Sequence, residues 1–174
     1  KLINHKTHII MQKFSEIAYT RPDFESFKAK YLNVLELLKV AKDYESQKNL
    51  IYEINALSND MDTAMNLIYV RHTINTDDKF YEAEKDWMDD TSPELSLLTE
   101  KYYQVLVKSK FRADLELEFG SQLFTIADFK IKQTDERIVE DRKKENKLSS
   151  QYAKLLASAK IDWEGKELNL SQLV

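Results

Sequence analysis

The sequence contains no cysteine, only two glycines and two prolines, and no excess of positive charge. Without cysteine the chain can form no disulfide, no thiol nucleophile and no cysteine-ligated zinc site. So few glycines and prolines do not suffice for the many turns of a β-sandwich or barrel, nor for a glycine-rich phosphate-binding loop. The net charge of −4, with acidic and basic residues interleaved, gives no electrostatic basis for binding nucleic acid.

Long apolar runs are also missing. No stretch approaches the roughly 20 apolar residues of a membrane-spanning helix, and the start, KLINHKTHIIMQKF, lacks the apolar core and cleavage site of a signal peptide. The absence of cysteine fits a reducing compartment, so we expect a cytoplasmic protein without membrane contact. With 174 residues, 43% of them apolar, the chain is long enough for one domain with a real core.

Apolar residues recur at helical spacing along most of the chain. Asp23 and Asp43 are candidate N-caps, because a short acidic side chain can accept a hydrogen bond from the first turn of a helix. From Asp43 to about Asn75 the pattern fits one long helix, or two helices with a break at 58–60. A further helix is expected to begin at residues 76–78.

Two later positions predict interruptions. In Ser92-Pro93-Glu94 the proline suits the first turn of a helix and the serine its cap, which predicts a fresh helix start. Gly120 predicts a helix end or a corner. A very charged helix is then expected to begin at Thr134-Asp135 and to expose its run Arg142-Lys143-Lys144, among acidic residues, as a solvated face.

The chain's last segment, IDWEGKELNLSQLV, predicts a β-hairpin. Glu164-Gly165 lies between two short alternating runs, and glycine readily takes the positive φ of a two-residue turn. Two residue pairs would then face each other: Trp163 with Lys166, and Ile161 with Leu168. The whole pattern predicts an all-α protein, a multi-helix antiparallel bundle or array, with a short C-terminal β-hairpin.

Candidate catalytic residues are scarce. His5 and His8 have a spacing that can share a metal on a helix, but no carboxylate lies near them, so we interpret them as an exposed pair. His72 is expected to pack at the edge of the core. Neither H-E-x-x-H nor Glu-x-x-His occurs, which removes the helix-borne zinc motif and the usual di-iron bundle. The pairs Asp77-Asp78 and Asp89-Asp90 are interpreted as caps and solvated faces.

Aromatic side chains are dense in the central helices. Tyr81, Tyr102 and Tyr103 are the candidates for contact with a peptide, because a tyrosine offers both a flat face and a hydroxyl group. The simpler interpretation is that these aromatic residues form the packed core between helices.

Several short segments, in a consistent order along nearly the whole chain, resemble one family. They are FSE at 14–16, YTRPD at 19–23, RHTI at 71–74, FYEAE at 80–84, SP at 92–93, FR at 111–112, EFG at 118–120, ENKLSS at 145–150 and the closing hairpin. Together they resemble the N-terminal portion of the oligoendopeptidase F family, zinc metallopeptidases related to thimet oligopeptidase. Residues 1–13 would then be an extension, either vector-derived or an alternative upstream start, and 14–174 a helical N-terminal domain.

The resemblance implies a cytoplasmic enzyme that cuts short peptides in a deep channel. Its zinc would be held by two histidines of H-E-x-x-H and a later glutamate, all beyond this region, so no catalytic or metal residue is expected in this chain. The region would form part of the channel wall, with the catalytic domain of the same polypeptide and the oligopeptide substrate as its partners. Val174 would be a truncation point.

Other functions stay open from the residues alone. The principal alternative is a self-contained helical module that binds a partner helix or peptide in a groove, without catalysis. A small-molecule enzyme made from this chain alone is disfavoured, because the sequence lacks the cluster of polar groups that such chemistry needs.

Overall fold

A computed structural model describes residues 13–132 and 136–170, which contain six α-helices and one two-stranded antiparallel sheet. The helices are α1 (Phe24–Val40), α2 (Tyr44–Ile74), α3 (Lys79–Val107), α4 (Arg112–Phe119), α5 (Ser121–Ile131) and α6 (Val139–Ala157), and the strands are β1 (Ile161–Trp163) and β2 (Lys166–Leu168). The predicted fold class is confirmed. His5, His8, most of the predicted extension and the predicted helix start at Thr134-Asp135 lie outside the described residues.

Three helices begin where an aspartate caps their first turn. In each case the carboxylate accepts a hydrogen bond from a backbone N–H that has no partner within the helix. The caps are Asp23 with the N–H of Ser26 (3.0 Å), Asp43 with that of Ser46 (2.8 Å), and Asp78 with that of Phe80 (2.9 Å). The predicted starts of α1, α2 and α3 are thereby confirmed, and α2 proves to be one unbroken helix of 31 residues.

The predicted helix start at Ser92-Pro93-Glu94 is wrong, because α3 runs through Pro93 without interruption. A proline inside a helix leaves the carbonyl four residues earlier without its usual partner. Here that carbonyl belongs to Asp89, and it accepts a hydrogen bond from Nδ2 of Asn146 in α6 (3.3 Å). The same Nδ2 lies 3.2 Å from Oγ of Ser92, so a side chain from another helix satisfies the interrupted turn.

The core lies where α1, α2 and α3 pack on one another, with α4 and α5 closing one end. Its members are buried aliphatic and aromatic side chains. They include Tyr31, Val34, Leu35 and Leu38 of α1, Ile51, Ile54 and Met61 of α2, Leu98, Tyr102 and Leu106 of α3, Leu115 of α4 and Phe124 of α5. No residue of α6 is buried.

None of the helices in the described segments is long and apolar enough to cross a membrane.

The segment before α1 is fastened to α3 by one buried carboxylate, that of Glu84, which is 5% exposed. Arg21 binds it through two hydrogen bonds, from Nε to Oε2 (2.9 Å) and from Nη2 to Oε1 (2.7 Å). The hydroxyl of Tyr19 donates a further bond to Oε2 (2.5 Å). Because the carboxylate is almost fully paired, its burial is compensated.

The hairpin has the predicted register, with Ile161 opposite Leu168 and Trp163 opposite Lys166. Its turn residues Glu164 and Gly165 both have positive φ, 52° and 74°, as a tight two-residue turn requires. A third positive φ, 85° with ψ 147°, occurs at Gly120 between α4 and α5. The predicted corner at Gly120 is therefore confirmed, and its backbone lies in a region that side chains almost never adopt.

Replacing Gly120 by alanine tests this corner. No atom lies within 4 Å of the position that a Cβ would take, so the effect comes from backbone strain. We expect the free energy of unfolding, measured in urea, to fall by about 1–3 kcal/mol. The control is Gly165→Asn, because asparagine tolerates positive φ better than other residues do. A Gly120→Ala protein as stable as the parent would contradict this strain.

The ion pair between Arg21 and the buried Glu84 predicts that the stability of the fold depends on pH. Hydrogen bonds from Arg21 hold the pKa of Glu84 below its ordinary value of 4.5, although burial acts in the other direction. A carboxyl whose pKa is lower in the folded state stabilises the fold above its ordinary pKa, and this contribution is lost as the pH falls through the folded-state pKa.

We therefore expect Glu84→Gln to flatten the fall in unfolding free energy below about pH 5. The measurement is a series of urea titrations between pH 7 and the acid limit of the fold. Asp141→Asn is the control, because Asp141 is 76% exposed and its pair with Lys144 at 3.5 Å contributes little. An unchanged pH profile in Glu84→Gln would count against this assignment.

Candidate functional site

Helix α6 packs on α3 through charged residues. Three lysines of α6 bind three carboxylates of α3: Lys143 with Glu94 (3.0 Å), Lys147 with Asp90 (2.8 Å), and Lys154 with Glu82. The lysine numbers rise as the carboxylate numbers fall, so the two helices run antiparallel. The sequence predicts that the run Arg142-Lys143-Lys144 is solvated. Lys144 is 75% exposed, whereas the side chain of Lys143 is 20% exposed and contacts α3.

A buried polar cluster completes this junction. The carboxylate of Asp89, 3% exposed, accepts hydrogen bonds from Nζ of Lys85 (2.5 Å) and from Oγ of Ser150 (2.6 Å). The prediction that Asp89 is a cap or a solvated residue is wrong, because it assumed a helix break near Ser92 and α3 has none there. Asp90 is half-exposed and fits the prediction better.

The cluster superficially resembles a nucleophile with its base, because Nζ of Lys85 also lies 2.7 Å from Oγ of Ser150. However, Nζ of Lys85 donates to both Ser150 and Asp89, and the hydroxyl of Ser150 donates its proton to the carboxylate of Asp89 rather than to the lysine. The three groups therefore satisfy one another and join two helices. Ser150 and Asn146 lie in the ENKLSS segment, whose sequence gave no sign of these contacts.

Helix α6 also carries exposed apolar side chains that do not contact α3. We call Leu148, Tyr152 and Leu155 the α6 stripe; they are 65%, 63% and 68% exposed. With about 100° of rotation per residue, they project between about 100° and 160° away from the mean direction of the lysines that bind α3, on a face that also carries Asp141 and Glu145. An amphipathic helix normally buries its apolar face against the core, so α6 has the reverse orientation. Trp163 and Leu170, which follow in the hairpin segment, are also exposed, by 59% and 41%.

The three candidate tyrosines do not form one site. Tyr81 and Tyr102 lie 21 residues apart on α3, which is about 30 Å along a helix. The hydroxyl of Tyr81 accepts a hydrogen bond from Nη1 of Arg71 (2.6 Å), and Nη2 of Arg71 donates to the carbonyl of Ile17. Tyr81 therefore helps to hold the segment before α1 in place.

Tyr102 and Tyr103 line a cavity of about 450 Å³ between α1, α2 and α3, which we call the tyrosine cavity. Its other lining side chains are mixed: five are uncharged and polar, such as Asn55, and four are charged, among them Asp62 of α2 and Lys130 of α5. Tyr102 is 4% exposed, and its hydroxyl has no hydrogen-bond partner within the described parts of the chain. Tyr103 is only partly buried, which makes it the more accessible of the two.

His72 is partly buried at the edge of α2, as predicted. It lines a polar cavity of about 560 Å³ with Lys85 and Glu82, and its pKa is lowered by burial and by the charge of Lys85. Across residues 13–132 and 136–170, no three histidine or acidic side chains come close enough together to hold a metal ion. These residues therefore do not fit a zinc site.

The unpaired hydroxyl of Tyr102 predicts an unusual response to mutation. Burying an unsatisfied hydroxyl costs about 1–3 kcal/mol, so we expect Tyr102→Phe to raise the free energy of unfolding by about 1 kcal/mol. The control is Tyr19→Phe, because the hydroxyl of Tyr19 donates a hydrogen bond to Oε2 of Glu84 (2.5 Å). That variant should lose about 1 kcal/mol. Urea titrations measure both, and equal losses in the two variants would contradict the assignment.

Three solved structures share this fold. One is described as an oligoendopeptidase F, with 44% identity, a TM-score of 0.90 and coverage of 94% of this chain and 29% of that chain. PZ peptidase A with an inhibitor has 45% identity, a TM-score of 0.90 and coverage of 92% and 29%. A protein described as an oligoendopeptidase F from Bacillus anthracis strain Ames has 45% identity, a TM-score of 0.89 and coverage of 94% and 30%.

The chain thus spans less than a third of the length of these solved proteins. No curated protein matches it. Residues 14–134 match the family model of the peptidase M3 N-terminal domain. The match covers more than half of the chain, and it confirms the resemblance inferred from the short sequence segments. The chain belongs to the M3 peptidase family and corresponds to the N-terminal domain of an oligoendopeptidase F-like protein.

Proposed function

We propose that this chain is a non-catalytic wall of the substrate channel in a zinc-dependent oligoendopeptidase that hydrolyses short peptides in the cytoplasm. The observation that carries the proposal is the orientation of α6, which binds α3 through its charged face and leaves the α6 stripe exposed. Such a surface is typical of an interface. The chain covers 29–30% of the length of its solved relatives. The polypeptide that makes up the rest of such a protein is therefore the partner that we propose for this surface.

The proposal assigns peptide-bond hydrolysis to that remaining polypeptide. Zinc, when bound there, would activate water for attack on the peptide. This chain contributes no step of that chemistry, because its described residues do not fit a zinc site. The hydroxyl of Ser150, which lies next to Lys85, donates its proton to Asp89 and is not available as a nucleophile. Its contribution is to hold the wall in place and to limit the size of what enters.

Long unbroken helices suit that role. The 31 residues of α2 and the 29 residues of α3 correspond to rods of more than about 40 Å at 1.5 Å per residue. A wall of packed helices admits an extended peptide and excludes a folded protein. Of the three candidate tyrosines, Tyr103 has the strongest support as a substrate contact, because Tyr102 is buried and Tyr81 is bound to Arg71.

The test combines this chain with the separately expressed remainder of the polypeptide, using a quenched fluorescent octapeptide as substrate. We expect no hydrolysis by this chain alone, and hydrolysis when the two parts associate. Leu155→Asp should weaken their association at least tenfold, because burying a leucine contributes about 1.5–3 kcal/mol. Leu117→Asp is the control, since Leu117 is 88% exposed on α4, outside the α6 stripe.

Both substitutions replace exposed side chains, so circular dichroism of this chain should not change. Equal effects of the two variants on association would contradict an interface at α6. Failure of the parts to associate, together with tight binding of the octapeptide by this chain alone, would favour the alternative of a self-contained peptide-binding module.

A further inference from the structure

A second, larger groove lies where α1 and α3 end. It has a volume of about 850 Å³, within the range of typical ligand sites. We propose that it binds an acidic oligopeptide with interspersed apolar side chains. We call it the lysine groove; it is lined by Lys39, Lys42, Lys101, Lys108 and Lys110 with one acidic residue, Glu36, and by the apolar residues Leu32, Leu35, Leu38, Val40 and Val105.

The floor of the lysine groove is held in place by a buried glutamine. Gln47, 6% exposed, donates from Nε2 to the carbonyl of Leu38 (3.3 Å) and accepts from Oγ of Ser109 (2.5 Å). Oγ of Ser109 accepts in turn from the N–H of Phe111 (3.1 Å). These bonds link the end of α1, the start of α2 and the turn after α3. Binding therefore requires little ordering of the protein, which favours affinity.

The charge of the groove opposes that of the whole chain, which is −4. Lysines near helix C-termini commonly offset the helix dipole, and two helix ends amount to about one negative charge. The carboxylate of Glu36 offsets the charge of Lys39, whose Nζ lies 2.5 Å from Oε1 of Glu36. The neighbouring carboxylate of Asp43 interacts with the charge of Lys110. A positive excess therefore remains along the groove.

The excess is concentrated on two side chains. Lys42 and Lys108 are exposed, and neither forms an ion pair with a residue in the described segments. They belong to different elements, Lys42 to the connection after α1 and Lys108 to the C-cap of α3. A carboxylate placed between them would be attracted to both, while neighbouring apolar side chains contact Leu32 and Val105 on the floor.

The lining favours a peptide over nucleic acid. Bases bind on aromatic platforms, and no aromatic side chain lines the lysine groove among the described residues. An alternation of carboxylates and aliphatic side chains, by contrast, matches both the cationic rim and the apolar floor. The inference goes beyond the proposed function, because such binding needs neither zinc nor the remaining polypeptide and can be measured on this chain.

The probe is the fluorescein-labelled peptide GLEELDEL, titrated with this chain and followed by fluorescence anisotropy. We expect saturable binding that weakens as sodium chloride is added, because the attraction between charges is screened. Lys42→Glu combined with Lys108→Glu should weaken binding at least tenfold. The control combines Lys30→Glu with Lys166→Glu, which changes the net charge equally at two exposed sites outside the groove.

Methyl NMR locates the site independently of affinity. The peptide should shift the methyl signals of Leu32 and Val105, and leave those of Ile54, which lines the tyrosine cavity, unchanged. Equal losses in both double variants, or no saturable binding, would overturn the proposal. So would binding to phosphatidylserine vesicles that depends on Lys42 and Lys108 while the peptide does not bind, since the partner would then be a membrane.

Discussion

The continuity of α3 through Pro93 is the constraint on which the rest of the structure depends. Helix α3 contacts α1, α2, α5 and α6, so a break at its middle would disorganise all four contacts. A proline inside a helix costs about 3 kcal/mol, partly through the hydrogen bond that it removes. Asn146 supplies a donor to the carbonyl left free at Asp89, so α6 offsets part of that cost.

The two faces of α3 explain how the domain combines a stable core with an open surface. On one side Leu98, Tyr102 and Leu106 pack into the apolar core. On the other side carboxylates bind the lysines of α6, which leaves the apolar side of α6 without a partner in the described structure. The charges at this junction are thus satisfied between α3 and α6 while apolar surface faces outward, which is the arrangement expected of one part of a larger assembly.

Features that depend on neighbours in sequence could be predicted from the sequence. Asp23, Asp43 and Asp78 cap helices through residues two or three positions away, and the turn at Gly165 needs only its own backbone. Pro93 was misread because its compensation comes from Asn146, more than fifty residues later. The spacing of apolar residues along a helix does not show which distant side chain will supply such a hydrogen bond.

The candidate site was predictable to a similar degree. Short matched segments were sufficient to identify the family, and Tyr102 and Tyr103 do line one cavity. The pairing of Tyr81 with Arg71 and the lysine groove could not be foreseen, because they depend on how helix ends come together in space. The α6 stripe was visible as apolar residues, but whether such residues face inward is decided by packing.

The attachment of α6 by polar contacts also determines the order in which the domain loses structure. Helices α1, α2 and α3 share a continuous apolar core, so they open together, whereas α6 buries no residue of its own. Backbone amides of α6 should therefore exchange with solvent through a local opening that leaves the core intact. Each such opening would remove the donor that Asn146 supplies next to Pro93, together with the ion pairs that α6 forms along α3.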